Sequence, residues 1–140
     1  MKKVLFIICI LIISIGCKKS KYEIETNNVL KELKLDNNKP WQVNEATHIG
    51  VTKMDSLIKG FKNSKSNDFT ILGEFLSKQT SYIIKNCDMK GEPHDQLHVV
   101  LVPMLDEISL LRDNIENKSK KDALLRLEIY IKKYFEYFKK

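Results

Sequence analysis

Residues 68–86, with the sequence DFTILGEFLSKQTSYIIKN, place apolar side chains three or four positions apart over almost the whole stretch. The side chains that this spacing puts on one helix face are Phe69, Leu72, Phe75, Leu76, Gln79 and Ile83. Asp68 begins the stretch, and Gly91-Glu92-Pro93 breaks the chain after it. The stretch therefore predicts an amphipathic helix that must bury its apolar face against other elements.

Similar spacing occurs in three further segments between residue 40 and the last residue, 140. The first begins at Pro40 or Asn44 and ends near Lys62, with Asn44 suited to cap it. Its apolar face comprises Val43, Ala46, Gly50, Met54, Leu57 and Phe61. Another begins near His94, and its apolar face comprises Leu97, Leu101, Met104, Leu105, Ile108 and Ile115.

The last segment follows Ser119 and Asp122, whose spacing resembles a capping box. Its apolar face comprises Leu124, Leu127, Tyr130, Ile131, Tyr134 and Phe138. Four amphipathic helices with short connections favour an antiparallel up-down-up-down four-helix bundle over residues 40–140. No alternating strand pattern is seen, so the predicted fold class is all-α.

The N-terminus carries a second signal. Lys2 and Lys3 precede an apolar run, Val4–Ile15, which has the length of a signal-peptide core and is too short to span a bilayer. Gly16-Cys17 follows, which resembles the cleavage site of bacterial lipoproteins, although Ser14 stands where that family prefers Leu. The alternative is an N-terminal anchor helix that is never cut; in both cases we expect a membrane-tethered, exported protein.

The resemblance implies that residues 1–16 are a signal peptide and that Cys17 is lipidated as the first mature residue. Lys18 stands where many lipoproteins retained in the inner membrane have Asp, so the expected location is the outer membrane. Residues 17–39 are mostly polar and are predicted to be a flexible tether.

Charge and cysteine content restrict the function further. Two lysines leave with residues 1–16, so the formal net charge of +6 falls to +4, and it is spread in runs of mixed sign. Mixed charge is typical of solvated helix faces and argues against nucleic acid as a partner. With Cys9 removed and Cys17 lipidated, Cys87 is the one thiol left, which excludes an internal disulfide.

An antiparallel bundle would bring the end of its second helix and the start of its third to one end of the molecule. That end collects the candidate metal ligands Cys87, Met89, His94 and His98. His94 and His98 are four residues apart, so their rings share one helix face, as in helices that chelate a metal through two imidazoles. This donor set predicts copper(I), or zinc bound through Cys87 and the two histidines.

Each of these residues also has an interpretation without metal. Cys87 alone fits a small buried hydrophobe, and His98 would then form a hydrogen bond with a tyrosine such as Tyr134. Tyr134 and Gln79 are predicted to form hydrogen bonds that orient the metal ligands. For Gln79 the alternative is a buried hydrogen bond that fixes the helix register. His48 falls opposite the apolar face of its helix and is predicted to be a surface residue.

Other chemistry receives little support. His94-Asp95-Gln96-Leu97-His98 approximates a zinc-protease helix, but Asp95 replaces the Glu that acts as base. Noncovalent haem held by His98 with Met54 or Met89 is a distant alternative. Met54 lies several turns below His98, which makes that pairing poor. We therefore predict a protein that is not an enzyme.

Residues 86–98, NCDMKGEPHDQLH, are similar to a motif of small lipoproteins of Gram-negative bacteria that have no established activity. The shared elements are Cys-x-Met-Lys-Gly and His-Asp-x-Leu-His. The resemblance implies a helical module of the cell envelope and supplies no function. Two functions remain: a lipid-anchored bundle that sequesters or hands over a metal, and a structural or protein-interaction module that docks an envelope partner without metal.

Overall fold

The computed structural model describes residues 20–140. This part of the chain contains five α-helices and one pair of two-residue strands. In chain order the elements are α1 Lys21–Val29, β1 Trp41–Gln42, α2 Glu45–Ser64, α3 Phe69–Asn86, α4 Glu92–Arg112, α5 Asn117–Tyr137 and β2 Phe138–Lys139. The all-helical class is confirmed, and α2 to α5 are the four helices that the apolar spacing predicts.

Among the four bundle helices, α2 and α3 begin at capping side chains. The Asn44 side chain accepts a hydrogen bond from the Thr47 N–H at 3.1 Å, and Asp68 accepts one from the Ile71 N–H at the same distance. Helix α5 begins at Asn117, before Ser119, and has no side-chain cap, so the predicted Ser119–Asp122 capping box is wrong.

The helices pack as a bundle in which α2 contacts α3, α3 contacts α4, and α4 contacts α5, while α2 and α5 also touch. Gly50 near the start of α2 lies so close to Ile83 near the end of α3 that a Cβ would overlap the isoleucine. A Cβ on Gly73 would lie 2.6 Å from Arg112 Cγ at the end of α4. These contacts suit an antiparallel order, which itself stays a prediction.

One hydrophobic core joins these helices, and its members belong to residues 20–140. The largest fully buried apolar and aromatic side chains are Val51, Met54, Leu76, Ile83, Leu97, Val100, Met104, Leu111, Leu127 and Tyr134. Two predicted core residues are exposed: Phe75 is 46% exposed and Ile115 is 36% exposed. Five more are half-buried, namely Ala46, Leu57, Phe61, Gln79 and Leu105. Phe75 lies on the border of its helix's apolar face, and Ile115 lies beyond the end of α4.

Of the flexible tether predicted for residues 17–39, residues 17–19 lie outside the described residues, and residues 20–39 differ from the prediction. Ser20 and Glu23 form a capping box that starts α1, and Thr26 on this helix is fully buried. Helix α1 packs against α5, where the Tyr22 hydroxyl donates a hydrogen bond to Asp122 at 2.8 Å. This helix is short and weakly apolar, so periodicity does not reveal it.

Residues 30–43 then cross the bundle in an ordered path. The Lys34 N–H donates to Gln96 Oε1 of α4, and Trp41 Nε1 donates to the Lys34 carbonyl, both at 2.7 Å. Trp41 pairs in parallel with Phe138, which joins the start of the bundle to its C-terminal end. The sequence predicts no strand here, because two residues are too few to show alternation.

Candidate metal site and neighbouring features

The loop between α3 and α4 carries the first two predicted ligands. Cys87 ends α3, and Gly91, with φ of 68°, turns the chain into α4. The Asn44 amide donates to the Asn86 carbonyl at 2.7 Å and to Asp88 Oδ1 at 2.8 Å. The residue that caps α2 therefore also holds this loop against the start of α2.

Three of the four predicted ligands lie next to one another. Cys87 Sγ is 3.6 Å from His94 Nδ1, across the loop. The rings of His94 and His98 have their centroids 4.3 Å apart and are tilted by 50°. Cys87 and His94 are half-buried, whereas His98 is exposed on the side of α4.

Met89, the fourth predicted ligand, is half-buried and packs against the hydrophobic core. Within residues 20–140 no three His, Cys, Asp or Glu side chains form a group that could hold a metal ion. Cys87, His94 and His98 therefore form two neighbouring pairs that share His94, and they do not form a ready-made ligand triangle. A common ion would require His98 to change its side-chain orientation.

His48 is not the surface residue that the sequence predicts. Its ring lies against Tyr134, with centroids 6.3 Å apart, and meets Phe135 edge-on at 6.0 Å. Its Nδ1 is buried and has no hydrogen-bond partner in the described structure. The prediction fails because the aromatic end of α5 covers this side of α2, which the pattern of α2 alone cannot show.

Tyr134 is fully buried, but its hydroxyl does not support the predicted ligands. The ring stacks on Phe138 at 5.2 Å, and the hydroxyl has no hydrogen-bond partner among the described residues. The suggested hydrogen bond from Tyr134 to His98 is therefore absent from this structure. Burial raises the pKa of Tyr134, so the neutral hydroxyl is the form that the core accepts.

Gln79 is half-buried and lines a groove between α2 and α3. The buried glutamine of this fold is Gln96, which accepts the hydrogen bond from Lys34. No sequence signal distinguished Gln96, because its partner is a backbone N–H in a segment predicted to be flexible. Met54, a possible haem ligand, is fully buried in the core.

The sequence analysis also did not predict a partly buried ion pair between α4 and α5. Glu107 accepts hydrogen bonds from Arg126 Nε at 2.7 Å and from Arg126 Nη2 at 2.9 Å. This bidentate geometry holds the two helices in register. Burial, and to a smaller extent the charge of Glu107, raises the pKa of Tyr130 to about 12. The pair lies on a helix–helix contact, and we assign it a structural role.

The groove between α2 and α3 has a volume of about 700 Å³. The residues that line it are Lys53, Ser56, Leu57, Gly60, Phe61, Ser64, Ser66, Asp68, Ile71, Leu72, Phe75 and Gln79. Its middle is apolar and its two ends are polar. Sequence spacing predicted Phe75 as core, and the groove is the space that leaves this ring partly uncovered.

Comparison with known proteins gives no information on the function of this protein. None of the protein-family models, curated proteins or solved structures compared with this chain matches it. None of the helices described between residues 20 and 140 is long and apolar enough to cross a membrane.

Proposed function

We propose that this protein is a lipid-anchored protein of the cell envelope whose helical bundle binds copper(I) or zinc beside the α3–α4 loop. It sequesters the metal or hands it over, without catalytic turnover. The anchor is the lipid on Cys17, and the expected location is the outer membrane. The observation that carries the metal proposal is the 3.6 Å separation of Cys87 Sγ and His94 Nδ1.

That separation suits two ligands of one ion. Zinc lies about 2.3 Å from a thiolate sulfur and about 2.0 Å from an imidazole nitrogen, so tetrahedral geometry places the two ligand atoms about 3.5 Å apart. The same distance also fits a weak hydrogen bond between the thiol and the imidazole. An incoming ion would replace that hydrogen bond and coordinate Cys87 Sγ and His94 Nδ1 with little movement of either side chain.

The remaining ligands come from the same neighbourhood. His98 follows His94 by one turn, and because it is exposed, its ring can rotate toward the shared ion at small cost. Met89 lies in the loop and offers a thioether, a ligand that favours copper(I) over zinc. Asn44 holds the start of the α3–α4 loop in place, which lowers the ordering cost of binding.

A titration of residues 20–140 with zinc, and with copper(I) under reducing conditions, tests the metal proposal. This segment contains the described core, and Cys87 is its one cysteine. We expect one ion per chain. Loss of a ligand in Cys87→Ser, or of two in the double variant His94→Ala/His98→Ala, should weaken binding at least about 100-fold.

Asp95→Ala is the matched control, since Asp95 is exposed on the same turn of α4 and is not a proposed ligand. Far-UV circular dichroism should show unchanged helix content in all of these variants. Retained affinity in the double histidine variant would contradict the assignment, as would equal loss in Asp95→Ala.

A docking module without metal is the second candidate. One observation motivates it: Ile84, in the last turn of α3 and before the same loop, is 59% exposed, the highest value for a large apolar side chain within residues 20–140. If no metal binds, crosslinking in cells followed by purification should recover one defined envelope protein. Ile84→Ser should lose that partner, and recovery of the same partner with Ile84→Ser would contradict docking at this end.

A further inference from the structure

The groove between α2 and α3 is a second candidate binding site, separate from the metal ligands. Its volume of about 700 Å³ falls in the range of small-molecule sites, roughly 300–1,000 Å³. Lys53 and Ser64 mark its ends on α2, and a helix rises about 1.5 Å per residue, so the groove is about 16 Å long. It therefore suits an elongated occupant.

The middle of the groove is apolar and open. Leu57 and Phe61 form one wall, while Ile71 and Phe75 on the other are 50% and 46% exposed. A Cβ added to Gly60 would meet no atom within 4 Å, so the space above this glycine is unfilled. Two half-exposed apolar residues along one helix leave apolar surface in water that an apolar occupant would cover.

The two ends of the groove differ in charge. Lys53 lines one end and has its Nζ 5.8 Å from the Tyr82 ring. Lys78 lies beside the groove, outside its lining, with its Nζ 5.3 Å from the Phe75 ring. Within residues 20–140, neither ammonium group lies within 4.0 Å of a carboxylate. Asp68 lies at the other end, where its carboxylate caps α3.

We propose that this groove binds an amphiphile with an anionic head, of the long-chain carboxylate class. The alkyl chain lies over Gly60 between Phe61 and Phe75, and the carboxylate lies near Lys53 and Lys78. Among the residues that line the groove, Asp68 is the charged one at the other end, and its carboxylate disfavours the reverse orientation. This assignment does not depend on metal binding, because none of the proposed metal ligands lines the groove.

Dodecanoate, kept below its micelle-forming concentration, is the probe, because its chain matches the groove in length. Binding to residues 20–140 is followed by the amide NMR shifts of the protein. We expect a saturable response at Gly60 and Phe75. Gly60→Leu fills the open space and should weaken binding at least about ten-fold.

Thr52→Leu is the matched control, since Thr52 is exposed on the same helix and does not line the groove. It adds the same side chain elsewhere and should leave binding unchanged. Lys53→Gln with Lys78→Gln should weaken dodecanoate binding about five-fold, within the range for exposed charge pairs, and leave dodecanol binding unchanged. This charge variant keeps the test decisive if Gly60→Leu fails to fold.

Three results would overturn the proposal. One is the absence of a saturable response. Another is dodecyltrimethylammonium binding as tightly as dodecanoate, which would remove the argument from charge. The third is a dimer of the unliganded protein that Gly60→Leu dissociates, which would make a second copy of the chain the occupant. A zinc titration of Gly60→Leu should match that of the unmodified protein, which separates this test from the metal proposal.

Discussion

Single polar atoms mark the places where the core of this bundle is imperfect. The hydroxyl of Tyr134 and the Nδ1 of His48 are both buried without a hydrogen-bond partner within residues 20–140, and their rings are neighbours. A buried polar group left unpaired costs about 1–3 kcal/mol. Tyr134 must therefore be retained by the packing of its ring, which stacks on Phe138, and not by its hydroxyl.

Tyr134→Phe removes the unpaired hydroxyl and keeps the ring. We expect the free energy of unfolding at pH 7 to stay the same or rise by up to about 1 kcal/mol. Burial raises the pKa of Tyr134 above its ordinary value of 10, so at higher pH the unfolded chain ionises first and the unmodified protein loses stability. The advantage of Phe should therefore stay constant up to about pH 9 and grow as the pH rises through 10 to 11.

Urea unfolding of the unmodified protein and of Tyr134→Phe, at pH 7 and at pH 11, measures this difference in the free energy of unfolding. Tyr137→Phe on the same helix is the control, because Tyr137 is only half-buried. A loss of more than 1 kcal/mol in Tyr134→Phe at pH 7 would show that the hydroxyl has a stabilising partner, contrary to this account.

Helix α2 carries two glycines whose surroundings are opposite. Gly50 is pressed against Ile83 of α3, whereas Gly60 faces the open groove. Alanine at either position gains about 0.5–1 kcal/mol of helix propensity. We expect Gly60→Ala to keep that gain in the free energy of unfolding. Gly50→Ala should lower the free energy of unfolding by about 1–3 kcal/mol overall, because α2 and α3 must move apart.

Thermal unfolding of the two variants tests this contrast with the same substitution in the same helix. A stabilised Gly50→Ala would mean that α2 and α3 do not approach as closely as described. A destabilised Gly60→Ala would mean that the space above Gly60 is filled in the free protein.

The helices of the bundle could be predicted because each repeats its apolar side chains over several turns, and because Asn44 and Asp68 stand at helix starts. Helix α1 could not, since it has nine residues and buries Thr26 in place of a large apolar side chain. The strand pair is also invisible in the sequence, because it joins Trp41 to Phe138 across almost the whole domain.

For the candidate site, sequence spacing places His94 beside His98, since both belong to one helix. The contact between Cys87 and His94 depends on how the loop between them folds, and the bundle order was needed to expect it. The surroundings of His48, Tyr134 and Gln79 could not be predicted, because each depends on which neighbouring helix covers it. Spacing within one helix does not contain that information.

At the scale of the whole molecule, α1 packs against α5 and the segment after it contacts α4 and the C-terminal strand, so residues 20–43 belong to the folded domain. Cys17 is outside the described residues. We expect Cys17→Ala to abolish incorporation of labelled palmitate in cells and to leave an unprocessed chain that still begins at Met1. Cys87→Ala is the control and should be labelled normally. Undiminished labelling of Cys17→Ala would contradict the lipid anchor.

The central claim is that Cys87 and the histidines of α4 share one metal ion. X-ray absorption at the zinc edge, on residues 20–140 loaded with one equivalent of zinc, tests it most directly. We predict one sulfur at about 2.3 Å and nitrogen neighbours at about 2.0 Å, with the sulfur lost in Cys87→Ser and kept in Met89→Leu. A shell of nitrogen and oxygen alone, unchanged by Cys87→Ser, would contradict the claim.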